Sequence, residues 1–213
     1  MKKIILAMLF AGITAVSAQA QFKIGVRTGL TGIGVYGDAV PVYDENSWIE
    51  SKSGYQLGVV GEYSVTEKFV IQPALLFATQ GFLNKESDKN DEFEIDWSLN
   101  YLQIPVYATY KFGSRKTKFF PQVGPYFGYA LGGKLKGKLT EDGKTTKSSE
   151  SVKFGNNELK RFDFGIGFGL GLQISAFQLS LNYQLGLMNI HNSGELDMKN
   201  DALVFSLSYI FGK

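Results

Sequence analysis

The chain has 213 residues, 44% of them hydrophobic and 20% charged, with 25 Gly, 17 Phe, 11 Tyr, 2 Trp, five Pro, one His, no Cys and a formal net charge of +2. That composition belongs to a folded chain, since disorder goes with few aromatics and a high net charge, and the length suits one domain or two small ones with a sizeable core. The missing Cys exclude a disulfide scaffold, a Cys-based zinc site, a thiol nucleophile and an iron–sulfur cluster, and a single His191 excludes a polyhistidine site, so neither metal nor cofactor is expected.

Residues 1–20 read as a Sec signal peptide: Lys2 and Lys3, an apolar stretch from Ile4 to Val16, then Ala18-Gln19-Ala20 at the cleavage positions. The apolar run is shorter than the ~20 residues of a spanning helix, which leaves 21–213 as one exported domain. Losing Lys2 and Lys3 brings acidic and basic residues to equal number, so nothing in the charge balance suggests nucleic acid as a partner.

Beyond the leader, alternation with period two predicts strands near 22–36, 54–65, 69–80, 98–112, 119–133, 160–175, 178–190 and 200–211. The first, 22–36, carries Lys23 and Arg27 on one parity and ends in Gly32-Ile-Gly34-Val-Tyr-Gly37. That segment matches a dinucleotide fingerprint in form but has no helix after it to present an N-terminus to a pyrophosphate, and it is rejected as a nucleotide site. The strands 54–65 and 69–80 bring Glu62 and Pro73 and are joined by the short Thr66-Glu67-Lys68; 98–112 and 119–133 bring Lys111 and three prolines, Pro105, Pro121 and Pro125. In 160–175, Phe162, Phe164, Ile166, Phe168, Leu170, Leu172 and Ile174 oppose Asp163, four Gly and Gln173. In 178–190, Leu179, Leu181, Tyr183, Leu185 and Leu187 oppose polar or small residues in the same way.

The connections alternate in length. Those at 66–68, 113–118 and 176–177 are short, whereas 37–53, 81–97, 134–159 and 191–199 are long and polar. An even number of strands, each at least the ~10 residues needed to cross a bilayer obliquely, with tight turns at one end and long loops at the other, predicts an all-β fold. The expected architecture is an eight-stranded antiparallel up-and-down transmembrane β-barrel. A soluble barrel with the same count would turn its bulky residues inward and leave Gly165, Gly167, Gly169 and Gly171 outside, where they would weaken a strand and cover nothing. Turned the other way, the glycines face a narrow lumen. Aromatics agree: Tyr63, Phe69, Tyr110, Phe112, Phe119, Phe177, Tyr209 and Phe211 lie beside the short turns or the C-terminus and form one expected interfacial girdle, with Trp97, Tyr55, Phe77 and Tyr101 as candidates for the other.

By parity Lys23, Arg27, Glu62, Lys111 and Asp163 point inward with Gln56, Gln72, Gln103, Gln122, Gln173 and Gln184, a polar set that fills rather than lines so small a barrel. Arg27 and Glu62 are expected to pair. The loops carry patterned charge: net −3 over 37–53, −4 over 82–97 and +4 over 134–161. Three readings stand for them: closure over one another, contact with a partner such as the anionic head groups of lipopolysaccharide, or simple solvation. His191 with Ser193, Glu195 and Asp197 resembles the Ser, His and acid set of outer-membrane lipid A deacylases, although Asn192 and Gly194 around it read as an ordinary turn.

The stretches Gly54-Tyr-Gln-Leu-Gly-Val-Val-Gly-Glu-Tyr63, Ile71-Gln-Pro-Ala-Leu-Leu-Phe77, Asn100-Tyr-Leu-Gln-Ile-Pro-Val106, Val123-Gly-Pro-Tyr-Phe-Gly-Tyr129 and Phe162-Asp-Phe-Gly-Ile-Gly167 resemble the bacterial outer-membrane β-barrel domain family that includes PorT-like proteins. The resemblance covers the mature chain and implies an outer-membrane location and tolerated in-strand prolines. It departs where Ala74 and Gln103 stand at positions that often carry Glu, which weakens any acidic lumen cluster. It implies little about activity, because one barrel serves several roles. The reading that follows is a non-enzymatic barrel acting structurally or through its outer loops. The alternatives are a PorT-like accessory of secretion or gliding with secretion-system subunits as partners, a lipid A deacylase-like hydrolase, and a narrow small-solute channel. The ending Leu207-Ser-Tyr209-Ile-Phe211 resembles the aromatic signal read by the barrel-assembly machinery, a transient partner, although Gly212 and Lys213 extend past it.

Overall fold

The computed structural model describes residues 21–36, 47–50, 52–88, 91–141, 144–152, 154–155, 159–191 and 198–212. The expected signal peptide lies outside the described residues. Among the described residues there are eleven strands: β1 (Phe22–Tyr36), β2 (Ser47–Glu50), β3 (Lys52–Ser64), β4 (Phe69–Asp88), β5 (Asp91–Tyr110), β6 (Phe112–Gly113), β7 (Thr117–Glu141), β8 (Lys144–Ser151), β9 (Phe162–Ile174), β10 (Phe177–Gly186) and β11 (Lys199–Ile210).

Eight of them close into a ring. Neighbours run β4-β3-β1-β11-β10-β9-β7-β5, and β5 pairs back onto β4. All pairings between these strands are antiparallel, and closure joins the first strand to the last through twelve register pairs from Gly25↔Ile210 to Tyr36↔Lys199. Closure is what a spanning sheet requires, since an open edge in hydrocarbon would leave backbone N–H and C=O groups without partners. Among the described residues no helix is long and apolar enough to cross a membrane.

The outer wall is apolar. Leu30 is 70% exposed and Leu170 68%, and Val59, Phe127, Phe168, Leu181 and Phe205 are exposed beside them. A band of this extent on a chain in water would be an association surface; against lipid it is the solvated face. The alternate residues are buried: in β10 Gln178, Ser180, Asn182 and Gln184 are buried, whereas Phe177, Leu179 and Leu181, alternating with them, are exposed. That settles the direction of the alternation in favour of the inside-out barrel.

Four prolines sit inside the ring without shifting its register. Between β3 and β4 the ladder passes from Val60↔Ala74 to Tyr63↔Ile71, omitting the two pairs around Pro73. Between β4 and β5 it passes from Pro73↔Val106 to Leu76↔Gln103, omitting the pairs of Ile104 and Pro105. Between β5 and β7 it passes from Pro105↔Tyr126 to Ala108↔Val123 around Pro125, and Pro121 falls where β7 leaves β5, after Thr109↔Gln122, and takes up β6 at Phe112↔Phe119. Each proline lacks the N–H that a ladder uses. The strand opens for two residues and closes again in the same register, so the side-chain parity on either side is kept. No peptide bond among the described residues is cis.

Two expected loops are strands. Residues 81–88 and 91–97 lie in β4 and β5, paired as far as Asp88↔Asp91, and 134–141 and 144–151 in β7 and β8, paired as far as Glu141↔Lys144. Beyond the bilayer these strands have water on both faces, so their sequence loses the apolar alternation by which the membrane part is recognised. The hairpin turn also comes one residue earlier than expected, at Ser175-Ala176, where Ser175 has φ 54°.

Candidate functional site: the lumen and the outer mouth

The lumen is built from inward parity on all eight strands of the ring. Arg27, Glu62, Lys111 and Asp163 are buried, as are Gln56, Gln72, Gln103, Gln122, Gln173 and Gln184; Lys23 has the same parity but lies half-buried at the rim. The expected Arg27 and Glu62 pair does not form. The register sets Glu62 opposite Lys23 and Arg27 opposite Gly58. Glu62 instead accepts from the Lys111 ammonium at 2.5 Å, from Gln178 at 2.7 Å and from Gln72 at 3.1 Å. Arg27 donates through Nε to Ser208 at 2.9 Å and through a terminal nitrogen to Gln72 at 3.4 Å. The stagger of a tilted ring brings strands two apart to one height, so Lys111 reaches past β4 to Glu62, and Gln72 joins the two charges that were expected to meet.

Hydrogen bonds cross the interior. Gln72 on β4 donates to Gln178 on β10, the strand on the far side of the ring, at 3.1 Å. Gln103 donates to Gln184 at 3.2 Å, Gln184 to the Tyr107 hydroxyl at 3.1 Å, and Gln56 to Ser206 at 2.8 Å. Gln122 also bonds Asn182. Three rings complete the packing, because Tyr107, Tyr126 and Phe120 are 1–2% exposed and lie against the glycines of β9. A Cβ on Gly165 would collide with Tyr126, one on Gly167 with Tyr107 and one on Gly171 with Phe120. These inward aromatics share parity with Gln103 and Gln122, a signal present in the sequence but masked by the habit of placing aromatics at the interface.

Nearer the outer mouth Asp163, fully buried, accepts through Oδ2 from Asn200 at 3.0 Å and from the Tyr126 hydroxyl at 3.4 Å. No cation is paired with it among the described residues, and its Oδ1 has no hydrogen-bond partner.

The aromatics expected for the girdle at the short turns lie on the outer surface there. Tyr63, Tyr110, Phe112, Phe119, Phe177, Tyr209 and Phe211 are exposed and Phe69 is half-buried. Phe177 meets Tyr209 edge-on at 5.0 Å, Tyr209 meets Phe211 at 5.3 Å, and Phe112 stacks on Phe119 at 6.3 Å. At the other end Tyr55 and Phe77 face outward, 6.2 Å apart. Tyr101 and Trp97 do not: Tyr101 is buried with Leu99, Ala130 and Leu159, and Trp97 packs on that cluster. The register shift between Asn100 and Tyr101 lies at this point. Leu159, from the connection between β8 and β9, thus caps the lumen, and nothing in its surroundings in sequence announced it.

Above the cap β2, β4, β5, β7 and β8 continue as a sheet. Its charges meet across strands: Glu94 lies opposite Lys138 and Asp96 opposite Lys136. Lys52 pairs with Asp96 and donates to Ser98 at 2.5 Å, tying the start of β3 to β5. On the lipid side of the mouth, a recess of about 400 Å³ is lined by Tyr129, Phe154, Leu159, Arg161, Phe162 and Met188 among others. The Arg161 guanidinium lies 4.3 Å from the Phe154 ring centre and donates to the Ala130 carbonyl at 2.9 Å. His191 stands next to this region, bridged to Leu159, with its backbone N–H on Asn189 Oδ1 at 2.8 Å. Ser193 and Glu195, its expected catalytic companions, and Asp197 lie outside the described residues. The segment Gly32–Tyr36 of the rejected fingerprint is strand, paired with β11.

Structures of similar shape include the attachment invasion locus protein Ail of Yersinia pestis, 14% identical with a TM-score of 0.42 over 90% of this chain and 99% of that one. Neisserial surface protein A (NspA) is 12% identical with a TM-score of 0.47, over 87% and 96%. OprG of Pseudomonas aeruginosa is 11% identical with a TM-score of 0.45, over 92% and 98%. No curated protein matches the sequence. The family model described as outer membrane protein beta-barrel domain matches residues 17–192. With a closed eight-stranded ring, an apolar outer wall and a polar interior, the chain belongs to the outer membrane protein β-barrel domain family and is an outer-membrane protein.

Proposed function

We propose that this barrel is a non-enzymatic anchor that presents its outer sheet to a protein partner at the cell surface. The observation that carries the reading is β8, in which all eight residues from Lys144 to Ser151 are exposed. β8 pairs along one side with β7, and no other strand among the described residues pairs with its second edge. An open antiparallel edge is a ready template for an extended segment of another chain, with main-chain hydrogen bonds giving affinity. Lys144, Lys147 and Glu150 along it discourage indiscriminate pairing. A secretion or gliding apparatus, the role that PorT-like kinship implies, is one source of such a partner. A photo-crosslinker placed at Ser148 should capture a defined protein in intact cells, and one placed at Leu170 on the lipid face should not. Equal labelling at both, or none at Ser148, would defeat the proposal.

The outer recess favours a second binding role. An apolar wall of Tyr129, Phe154, Phe162 and Met188 beside Lys160 and Arg161 suits an amphiphile with acyl chains and phosphates, the chemistry of lipopolysaccharide. Arg161→Gln with Lys160→Gln should reduce lipopolysaccharide retained through purification. For hydrolysis, the test is lipid A acylation by mass spectrometry in cells expressing the wild type or His191→Ala; the non-enzymatic reading expects identical spectra.

A further inference from the structure

At the periplasmic end two short connections lie side by side, 65–68 between β3 and β4 and 114–116 between β6 and β7. The Lys111 N–H, just before β6, donates to the Lys68 carbonyl at 2.7 Å and ties the first connection to the strand that leads into the second. Each is also held from within. Thr66 Oγ1 accepts from the Phe69 N–H at 2.9 Å, and Ser114 accepts from the Thr117 N–H at 3.1 Å while its own N–H donates to the Thr117 carbonyl at 2.8 Å.

Between the two turns is a recess of about 410 Å³, lined by Glu67, Lys68, Phe112, Arg115 and Lys118 among others. Lys111 also borders it, but its ammonium is held by Glu62. Among the described residues Lys68, Arg115 and Lys118 are in no ion pair, so three cations face one carboxylate. The depth of the recess is set by Phe112, which both lines it and stacks on Phe119, and the two rings are 49% and 55% exposed on the outer wall. Exposed aromatics at a barrel rim lie at the level of the head groups. The phosphodiesters of the periplasmic leaflet lie at that same level, and clustered Lys and Arg favour anionic lipid there. Arg and Lys donors form strong charge-assisted hydrogen bonds to phosphate.

We propose that this recess is a binding site for the head group of an anionic glycerophospholipid of the inner leaflet, with Lys68, Arg115 and Lys118 on the phosphate and Phe112 beside the glycerol. The excess of cations selects against a zwitterionic head group. Glu67 at the edge lowers the affinity, and its removal raises it.

The test uses the full mature chain refolded into nanodiscs holding phosphatidylglycerol and phosphatidylcholine in equal amounts, with retained lipid read by native mass spectrometry. The wild type should keep phosphatidylglycerol several-fold over phosphatidylcholine. The preference should vanish in Lys68→Gln/Arg115→Gln/Lys118→Gln, fall part-way in Arg115→Gln and rise in Glu67→Gln, with folding of each verified by heat-modifiable migration. Lys136→Gln/Lys144→Gln/Lys147→Gln, which removes the same charge at the other end of the molecule, should keep it. Equal retention of both lipids by the wild type would overturn the proposal. So would persistence of the preference in the triple periplasmic variant, or its loss in the outer one. Excess inorganic phosphate should leave the preference intact; if phosphate abolishes it, the recess reads free phosphate and the lipid assignment falls.

Discussion

Two buried carboxylates, Glu62 and Asp163, are held in very different ways in this interior. Glu62 has a cation at 2.5 Å and amide donors from Gln72 and Gln178. Removing one partner of a buried pair leaves the other charge uncompensated, at a cost of about 3 kcal/mol or more. Glu62→Gln should therefore destabilise the refolded barrel strongly in urea, and adding Lys111→Met should restore much of the loss. Asp163 has hydrogen bonds from Asn200 and Tyr126 but no cation among the described residues. An Asn carbonyl can accept the same two bonds without a buried charge. Asp163→Asn should leave stability unchanged or raise it by ~1 kcal/mol. A loss as large as that of Glu62→Gln, in the same urea titration, would contradict this account.

At the scale of elements, the glycines of β9 are paired in space with the rings of β5 and β7. With no Cβ at Gly167 and Gly171, the rings of Tyr107 and Phe120 can approach the strand closely, and the small lumen holds aromatics that would otherwise not fit. Gly171→Val should block folding, or cost several kcal/mol where the barrel still forms, as overpacking a tight interior does. Phe120→Ala in the same chain should recover part of it, which heat-modifiable migration will report. Similar reasoning covers the prolines. Each lies at a two-residue opening of one ladder, so Pro73→Ala restores an N–H where no ladder partner is in place and should change stability by less than ~1 kcal/mol. These openings were not legible in the sequence, because a proline marks a missing donor without saying which neighbour goes unpaired.

For the whole molecule, hydrogen bonds that span the ring and the Leu159 cap above them leave side chains where a channel would run. Reconstituted protein should give no conductance steps in a planar bilayer. Steady single-channel events from the purified wild type would show that the interior opens.

The sequence by itself determined the direction of the barrel and the middle of its eight strands. Bulky residues at one parity against Gly and Gln at the other can only be an apolar wall around a narrow polar interior, since four glycines would cover nothing on an outer face. It also put Arg27, Glu62, Lys111 and Asp163 on the inward parity, which survives even the prolines, while Lys23 on the same parity stands at the rim. What the tertiary structure decided is which inward residues meet. Period-two alternation gives a face but no height, and the stagger of a closed ring fixes height, so Glu62 met Lys111 instead of Arg27, and Tyr101, on the inward parity of Gln103, met Leu159. The outer sheet belongs to the same class. Strands with water on both faces carry no alternation to read, and they form there because the barrel below them has already set their neighbours.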